Sequence, residues 1–207
     1  MGDEVCLFNG EGGEYHGQLS HVDKRHAYVT LTQFIDQDKS SPLKVHLGQV
    51  LSKGDRFDYA IQKATELGVS EITPLISERC EVRLGNERLD KKMAHWQGVA
   101  ISACEQSGLN IVPKINTPQA LDTWTAHTQA DLRFVLAPSV TGLPNPSQKP
   151  QSVAVLIGAE GGLSEREITQ SIEQGFAPWC LGQRVLRTET APVAVLSVLN
   201  WLWGDFK

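Results

Sequence analysis

The sequence predicts an α/β protein with a mostly parallel β-sheet, preceded by a small unit of β-structure. Three observations support this prediction. From about residue 43, short apolar runs alternate with longer segments of helical periodicity, as in βαβ units. Two glycine-rich stretches near the C-terminus each follow an apolar run and precede a helical pattern. Residues 1 to 36, by contrast, are enriched in β-branched and aromatic residues between turn signals.

The N-terminal unit is predicted to contain three strands. They are Val5–Phe8, Tyr15–Val22 and Ala27–Ile35, and the glycines at positions 10, 12 and 13 mark a turn. A polar stretch that ends at Pro42 reads as a linker. We therefore expect a small domain over residues 1–42 and a larger one over residues 43–207. A unit of roughly 40 residues is small to hold a hydrophobic core alone.

The larger domain is predicted from alternating periodicities and from glycine and proline stop signals. The strands are Val45–Leu51, Ile72–Ile76, Ile111–Ile115, Leu132–Leu136, Val153–Ile157 and Trp179–Leu181. The helices are Asp55–Leu67, Leu89–Ser107, Gln119–His127, Ser164 to about Gln174, and Val193–Trp203. Ser164 and Glu167 form a predicted capping box. The proline-rich stretch Pro138–Ser152 is a long loop.

The last helix is apolar almost all round, so it must be buried on most sides. Either the core of this chain or a dimer interface would cover it.

Composition excludes several classes of protein. No apolar stretch reaches the roughly 18 residues of a membrane span, and no secretory signal opens the chain. The four cysteines are scattered and the six histidines lack ligand spacing, so we expect reduced thiols, a cytoplasmic protein and no metal. The net charge of −5 is unlike that of most nucleic-acid-binding domains. An RNA partner therefore needs a local basic surface, for which the candidates are Arg79, Arg83, Arg88, Lys91 and Lys92; the alternative is an ordinary solvated face.

The two glycine-rich loops are Ile157–Ser164 and Leu181–Ala191. Each follows a strand, and ligands of open α/β sheets bind at the carboxyl ends of strands. Neither loop carries a dinucleotide or P-loop fingerprint, and the charge of Glu160 would repel a phosphate. A ligand with hydroxyls, an amine or a positive charge fits better, and S-adenosylmethionine meets that description.

At these loops the sequence closely resembles the RsmE family, the SPOUT-type methyltransferases that methylate uridine N3 in small-subunit ribosomal RNA. Further matching pieces are Gln62–Val69, Ser77–Arg79 and Ala103–Gly108. The resemblance implies a C-terminal trefoil knot, a homodimer, S-adenosylmethionine as methyl donor, and ribosomal RNA or the small subunit as partner. It also implies that residues 1–42 belong to a PUA-like domain used for RNA. The chain starts near the middle of that domain, so the domain is either truncated or reduced.

The resemblance also implies which residues form the site. The cofactor-binding residues are expected to be Leu136, Ala137, Pro138, Ile157, Gly158, Glu160, Gly161, Gly162, Leu181, Gly182, Leu186, Thr190 and Ala191. Arg187 and Glu189 are the candidate catalytic residues. Uridine N3 must lose its proton, and Arg187 would stabilise the negative charge that develops on the neighbouring carbonyl oxygens. Glu189 is the nearest candidate base or orienting group, although an ordinary carboxylate is a weak base for this proton. Alternatively, the two side chains pair with each other or cap the last helix.

Two positions depart from the family pattern. Ala159 replaces a usual proline, which only adds backbone freedom, and Leu109 replaces a usual arginine after Gln-Ser-Gly. Loss of that arginine would weaken substrate handling more than cofactor binding. An RNA-binding or ribosome-assembly module without turnover is therefore the alternative function. A nicotinamide-linked oxidoreductase is disfavoured by the missing fingerprint.

Overall fold

The N-terminal residues form a three-stranded antiparallel sheet. The computed structural model describes residues 2–82, 85–137 and 148–206, with the backbone alone at residues 86–88. The strands are β1 (Glu4–Leu7), β2 (Glu14–Val22) and β3 (Ala27–Ile35), with β2 in the centre. This confirms the predicted β-structure, with boundaries shifted by one residue at β1 and β2. The sheet leaves large apolar side chains about half exposed, namely Leu7, Val22, Tyr28, Leu31 and Phe34.

The small sheet is attached to the segment that follows the second helix of the chain. Gly10 forms a β-bridge with Ile111, and the Val112 N–H donates to the Gly10 carbonyl at 3.0 Å. The buried Asn110 side chain donates to the Gln37 carbonyl at 2.5 Å. These contacts hold the linker against the larger domain. The domain boundary after residue 42 stays a prediction.

The larger domain contains a seven-stranded sheet whose recorded pairings are all parallel. In chain order its strands are β4 (Lys44–Val50), β5 (Glu71–Ile76), β6 (Lys114–Ile115), β7 (Gln119–Ala120), β8 (Leu132–Leu136), β9 (Ser152–Ile157) and β10 (Ala177–Trp179). Their spatial order is β10-β8-β9-β4-β5-β6, and β7 pairs with the carboxyl end of β5. The parallel sheet predicted from the alternating pattern is confirmed.

Helices cover both faces of this sheet. They are α1 (Arg56–Glu66), α2 (Asn86–Ser107), α3 (Leu121–His127), α4 (Glu165–Glu173) and α5 (Thr190–Trp203). Helices α1, α2 and α5 pack on one face, while α3 and α4 pack on the other. Side chains alternate along β9, so that Val153, Val155 and Ile157 join the first core and Ala154 and Leu156 join the second. Burial on both faces explains why the strand is continuously apolar.

The strand order places a switch point between β4 and β9. The chain leaves β4 toward β5 on one side, whereas it leaves β9 and passes β8 to reach β10 on the other. Such a reversal opens a crevice at the carboxyl ends of the two strands, where ligands of open α/β sheets bind.

Three predicted boundaries of strands and helices were wrong, because pairing with other segments of the chain decided them. The strand predicted at Ile111–Ile115 is reduced to Lys114–Ile115, because Ile111 pairs with the N-terminal sheet and Pro113 has no N–H to donate. The helix predicted from Gln119 begins at Leu121, since the two preceding residues pair with β5. The last strand ends at Trp179, which lies opposite the last residue of β8 and therefore has no partner beyond it.

Helix α5 is buried on one face only. Val195, Leu196 and Leu199 are fully buried, whereas Trp201 is 68% exposed and Leu202 is 43% exposed. The core of this chain therefore covers one face of the helix and leaves Trp201 and Leu202 exposed. The trefoil knot stays a prediction of the family resemblance. Among the described residues, no helix is both long and apolar enough to cross a membrane.

Candidate active site

A cavity of about 790 Å³ opens at the carboxyl ends of β8, β9 and β10. Its walls come from the residues that follow these strands: 136–137, 157–163, 179–181, and 184–189 with Ala191. Arg56 and Arg79 complete the rim. The volume is in the range of sites for small organic ligands.

The structure brings together most of the residues predicted from the sequence. Those that line the cavity are Leu136, Ala137, Ile157, Gly158, Glu160, Gly161, Gly162, Leu181, Leu186, Arg187, Glu189 and Ala191. Gly182, which has a φ of 88°, and Thr190, the first residue of α5, do not line it. Pro138 lies outside the described residues. That these side chains bind a cofactor stays a prediction.

The glycine-rich loop after β9 folds tightly on itself. The Gly162 N–H donates to the Ala159 carbonyl at 2.9 Å, and Gly162 has a φ of 66°. A Cβ atom at Gly158 would lie 2.9 Å from the Gly162 carbonyl carbon, which is closer than packing allows. Glycine is therefore required at position 158 by close approach and at position 162 by backbone conformation.

The predicted capping box of α4 is confirmed and does more than begin a helix. Ser164 Oγ accepts from the Glu167 N–H at 3.2 Å, and Glu167 Oε2 accepts from the Ser164 N–H at 2.8 Å. The other carboxylate oxygen of the buried Glu167 accepts from the Glu78 N–H at 2.8 Å. The cap thereby joins the glycine-rich loop to the segment that follows β5.

Arg79, predicted to bind RNA, holds the same loop. Its guanidinium donates to the Gly161 carbonyl at 2.9 Å and to the Leu163 carbonyl at 3.2 Å. The residue is nevertheless exposed, so a contact with RNA stays a prediction. Arg83 and the side chain of Arg88 lie outside the described residues.

The charge of Glu160 is compensated by Arg56. The Glu160 carboxylate accepts from the Arg56 guanidinium at 2.5 Å and from the Lys53 N–H at 3.2 Å. Burial acts to raise the pKa of Glu160, but hydrogen bonds from its own N–H, from Arg56 and from Lys53 outweigh burial and lower it. The carboxylate is thus ionised and paired. Repulsion of phosphate by Glu160 is therefore weaker than the sequence alone indicates.

Arg187 and Glu189 do not pair with each other. Arg187 is exposed, and no carboxylate among the described residues lies within ion-pair distance of its guanidinium. Glu189 has a side chain only 19% exposed, with Oε1 at 4.0 Å from Arg56 Nε. Its Oε2 is buried and has no hydrogen-bond partner among the described residues. Glu189 lies at the N-terminal cap of α5 but makes no capping hydrogen bond.

Residues at the site that sequence reasoning missed include Gln49, Arg56, Arg184 and Thr188. Gln49 lies at the end of β4, and Arg56 begins α1, so both are beside the switch point. Thr188 is buried between the two candidate catalytic residues. A signal in the sequence was the polar Gln49 near the end of β4, between the apolar Leu47 and Val50.

One group of possible metal ligands occurs among the described residues, in the N-terminal sheet and outside the lining of the cavity. Cys6, Glu14 and His16 place their ligand atoms within 4.8 Å of one another, because Cys6 and His16 are cross-strand neighbours. Lys39 forms an ion pair with Glu14 and already neutralises its charge. The expected absence of a metal stays a prediction.

Comparisons with known proteins agree with this description. The model of the RNA methyltransferase domain family matches residues 39–200, and that of the RNA methyltransferase PUA domain matches residues 1–32. A protein named ribosomal RNA small subunit methyltransferase E from Buchnera aphidicola subsp. Schizaphis graminum is 37% identical over 98% of this chain and 83% of its own length. The protein of the same name from Bacillus subtilis is 30% identical over 97% of this chain and 82% of its own.

Solved structures show the same relationship. A methyltransferase from Legionella pneumophila, in complex with the bound cofactor SAM, is 42% identical and has a TM-score of 0.93, over 99% of this chain and 85% of that chain. A ribosomal RNA small subunit methyltransferase E from Neisseria gonorrhoeae, bound to S-adenosyl methionine, is 36% identical and has a TM-score of 0.92. The match covers 100% of this chain and 86% of that chain. The resemblance found in the sequence is thereby confirmed, and the chain belongs to the RNA methyltransferase family that includes ribosomal RNA small subunit methyltransferase E.

Proposed function

We propose that this protein transfers a methyl group from S-adenosylmethionine to N3 of a uridine in small-subunit ribosomal RNA. The cavity at the carboxyl ends of β8, β9 and β10 carries the proposal, because it gathers most of the residues that the resemblance implies. The bound cofactor in the structures from Legionella and Neisseria supports the choice of methyl donor. The names of the relatives support the choice of RNA.

The residues present fit S-adenosylmethionine. The cofactor supplies a methyl group activated by a positively charged sulfur. Leu136, Ile157 and Leu186 give apolar walls for a flat base, and the lack of a side chain at Gly158, which also lines the cavity, would let a ligand approach the loop closely. The Glu160 and Glu189 carboxylates add hydrogen-bond acceptors near the rim. A cavity of about 790 Å³ can hold a ligand of this size.

Arg187 is the residue that we assign to stabilise the reacting uridine. Its guanidinium lines the cavity without a carboxylate partner among the described residues, so its charge is available to the substrate. Uridine becomes negatively charged only as N3 loses its proton, and a fixed positive charge then acts mainly in the transition state. Glu189 has one buried carboxylate oxygen without a partner and is the group that we assign to orient or accept this proton.

The rim of the cavity supports an RNA substrate despite the negative net charge. Four arginines (Arg56, Arg79, Arg184 and Arg187) and three glutamates (Glu160, Glu165 and Glu189) contribute to its lining. Arg56 is paired with Glu160, whereas Arg184 and Arg187 are exposed at the mouth. Exposed guanidinium groups beside the site are suited to phosphates of the RNA backbone.

The proposal includes a homodimer in the cytoplasm, where ribosomal RNA is available. Helix α5 supports the dimer, since one of its faces presents Val193, Ala194, Val198, Trp201 and Leu202 partly or largely exposed. Val185, on the rim of the cavity, is 87% exposed. A second copy packed on this face would cover apolar surface and lie beside the site.

Cofactor binding and methylation test the proposal separately. We expect isothermal titration calorimetry to detect binding of S-adenosylmethionine at micromolar concentration and none of NADH, because the cavity lacks a phosphate-binding fingerprint. Incubation with unmethylated small subunits and labelled cofactor should then yield 3-methyluridine, identified by mass spectrometry. Binding of NADH in place of S-adenosylmethionine would refute the proposal. Cofactor binding without methylation of RNA or subunits would instead favour the non-catalytic RNA-binding module.

A further inference from the structure

Gln49 is a buried polar residue where apolar side chains predominate. It lies one residue before the end of β4, at the switch point, and is 1% exposed. Its backbone register pairs it with Ile157, the last residue of β9. The side chain therefore lies directly beneath the glycine-rich loop.

A chain of hydrogen bonds joins Gln49 to both loops of the cavity. Gln49 Nε2 donates to Thr188 Oγ1 at 3.0 Å, and the Thr188 hydroxyl donates to the Gly158 carbonyl at 2.8 Å. Gln49 Nε2 also lies 3.4 Å from the Gly158 carbonyl oxygen. The central strand, the loop after β9 and the loop before α5 thus meet in a single buried network.

The surroundings fix the orientation of the Gln49 amide. Three oxygen atoms surround Nε2, from Gly158, Thr188 and the Val50 carbonyl at 3.4 Å, so only the donor end of the amide fits there. The oxygen of the same amide, Oε1, is buried and has no hydrogen-bond partner among the described residues. An unpartnered buried carbonyl is unfavourable, and an apolar side chain would avoid it. Folding stability alone therefore does not explain a glutamine here.

Thr188 lies in the loop before α5, between the two candidate catalytic residues. It is buried, while its neighbours Arg187 and Glu189 both line the cavity. Anchoring the Thr188 side chain consequently fixes the direction in which both neighbours point. Among the described residues, the Thr188 side chain forms hydrogen bonds with Gln49 and Gly158.

We infer that Gln49 is a positioning residue for methyl transfer. Through Thr188 and Gly158, it holds the glycine-rich loop after β9 and the Arg187–Glu189 segment in fixed positions relative to each other. This inference rests on the proposed function. Small displacements of positioned groups strongly slow reactions that depend on orientation, so loss of the network should affect both cofactor binding and the transfer step.

The test uses substitutions that preserve shape. Gln49→Met keeps side-chain length without the amide, Thr188→Val keeps shape without the hydroxyl, and Thr188→Ser keeps the hydroxyl. We expect the Met and Val variants to bind S-adenosylmethionine about tenfold more weakly, the effect of about one lost buried hydrogen bond. Their single-turnover methylation at saturating cofactor should also fall about tenfold, whereas Thr188→Ser should stay within about threefold of wild type.

Thr73→Val is the matched control. Thr73 is an equally buried threonine of β5 that accepts a hydrogen bond from Asn116 at 2.8 Å, and side-chain alternation places it with Leu75 on the face of the sheet opposite to Gln49. We expect this variant to lower the melting temperature without changing cofactor affinity or the transfer rate. An effect of Thr73→Val on affinity equal to that of Thr188→Val would show that general destabilisation, not positioning, is responsible.

A double-mutant cycle completes the test. Since Gln49 and Thr188 act in one chain, the double variant should bind the cofactor within about twofold of the weaker single variant, as coupled residues do. Independent effects that multiply to about a hundredfold, or wild-type affinity and rate in both single variants, would overturn the inference. Should Gln49→Met not fold, the Val and Ser variants at Thr188 decide alone. Failure of the wild-type protein to bind S-adenosylmethionine would instead refute the proposed function.

Discussion

At the scale of single residues, the site depends on which charges are already neutralised. Arg56 is paired with Glu160, and Arg79 donates hydrogen bonds to two loop carbonyls. The charge of each is therefore partly used by contacts within the protein. Arg187 differs, because no carboxylate of the described residues pairs with it. A cation that lines the cavity without such a partner is suited to act on a substrate that gains negative charge, and Arg187 meets this requirement.

We predict that Arg187→Ala lowers the methylation rate by a factor on the order of 10²–10³, the scale of losing one preorganised donor in the transition state. Affinity for S-adenosylmethionine should change less than about tenfold, since the charge acts after the cofactor is bound. Arg187→Lys, which keeps the charge but not the planar fork, should not restore the rate. Single-turnover kinetics and calorimetry measure the two effects; loss of cofactor binding with a normal rate at saturating cofactor would contradict the assignment.

At the scale of elements, a second polar network ties together the amino-terminal edge of the sheet. His46 of β4 accepts at Nε2 from the Trp124 indole of α3 at 3.2 Å and lies 2.7 Å from Thr73 Oγ1 of β5. Burial lowers the pKa of His46, nearby Glu71 opposes this, and Lys114 adds to the lowering. Neutral His46 therefore matches the observed hydrogen bond from Trp124.

This network predicts that stability falls in mild acid. The folded protein binds fewer protons at His46 than the unfolded chain, whose histidine pKa is about 6.5, so the free energy of unfolding decreases as the pH falls below about 6.5. Urea unfolding should give a smaller free energy of unfolding at about pH 5.5 than at about pH 8. His46→Gln should reduce this pH dependence, because it removes the buried group whose pKa folding lowers. Equal pH dependence in wild type and His46→Gln would disprove the prediction.

At the scale of the whole molecule, the uncovered face of α5 bears on assembly. The buried face packs against α1 and the sheet, but Trp201 and Leu202 present an apolar surface that the described part of the chain leaves exposed. Contiguous exposed apolar patches mark interaction surfaces. A two-fold interface would pair this patch with itself.

We therefore predict a dimer in solution at micromolar concentration, measured by light scattering. Trp201→Glu should shift the mass to that of a monomer, because a buried charge without a partner opposes association. Circular dichroism should show that the variant keeps its helices, since Trp201 is 68% exposed in the single chain. Ile172→Glu, on an exposed position of α4, is the control and should remain dimeric. A monomeric wild-type protein would refute the dimer.

The sequence by itself determined the parallel α/β sheet, the capping box of α4 and the two loops of the cavity. Periodicity, caps and glycine positions are local signals, and a strand order of this class brings the carboxyl ends of strands to one edge. The family motifs added the chemistry and the cofactor. This is why most of the predicted cofactor residues, with Arg187 and Glu189, line one cavity.

Only the tertiary structure decided which side chains meet across these elements. Arg56 and Glu160 are 104 positions apart, and Gln49 and Thr188 are 139 apart, so no periodicity connects them. The pairing of Ile111 with Gly10 likewise shortened a strand that its own sequence favours. Local patterns report the conformation and the buried face of a segment, whereas a hydrogen bond between distant segments depends on the strand order and on how their side chains pack. Those are properties of the assembled fold.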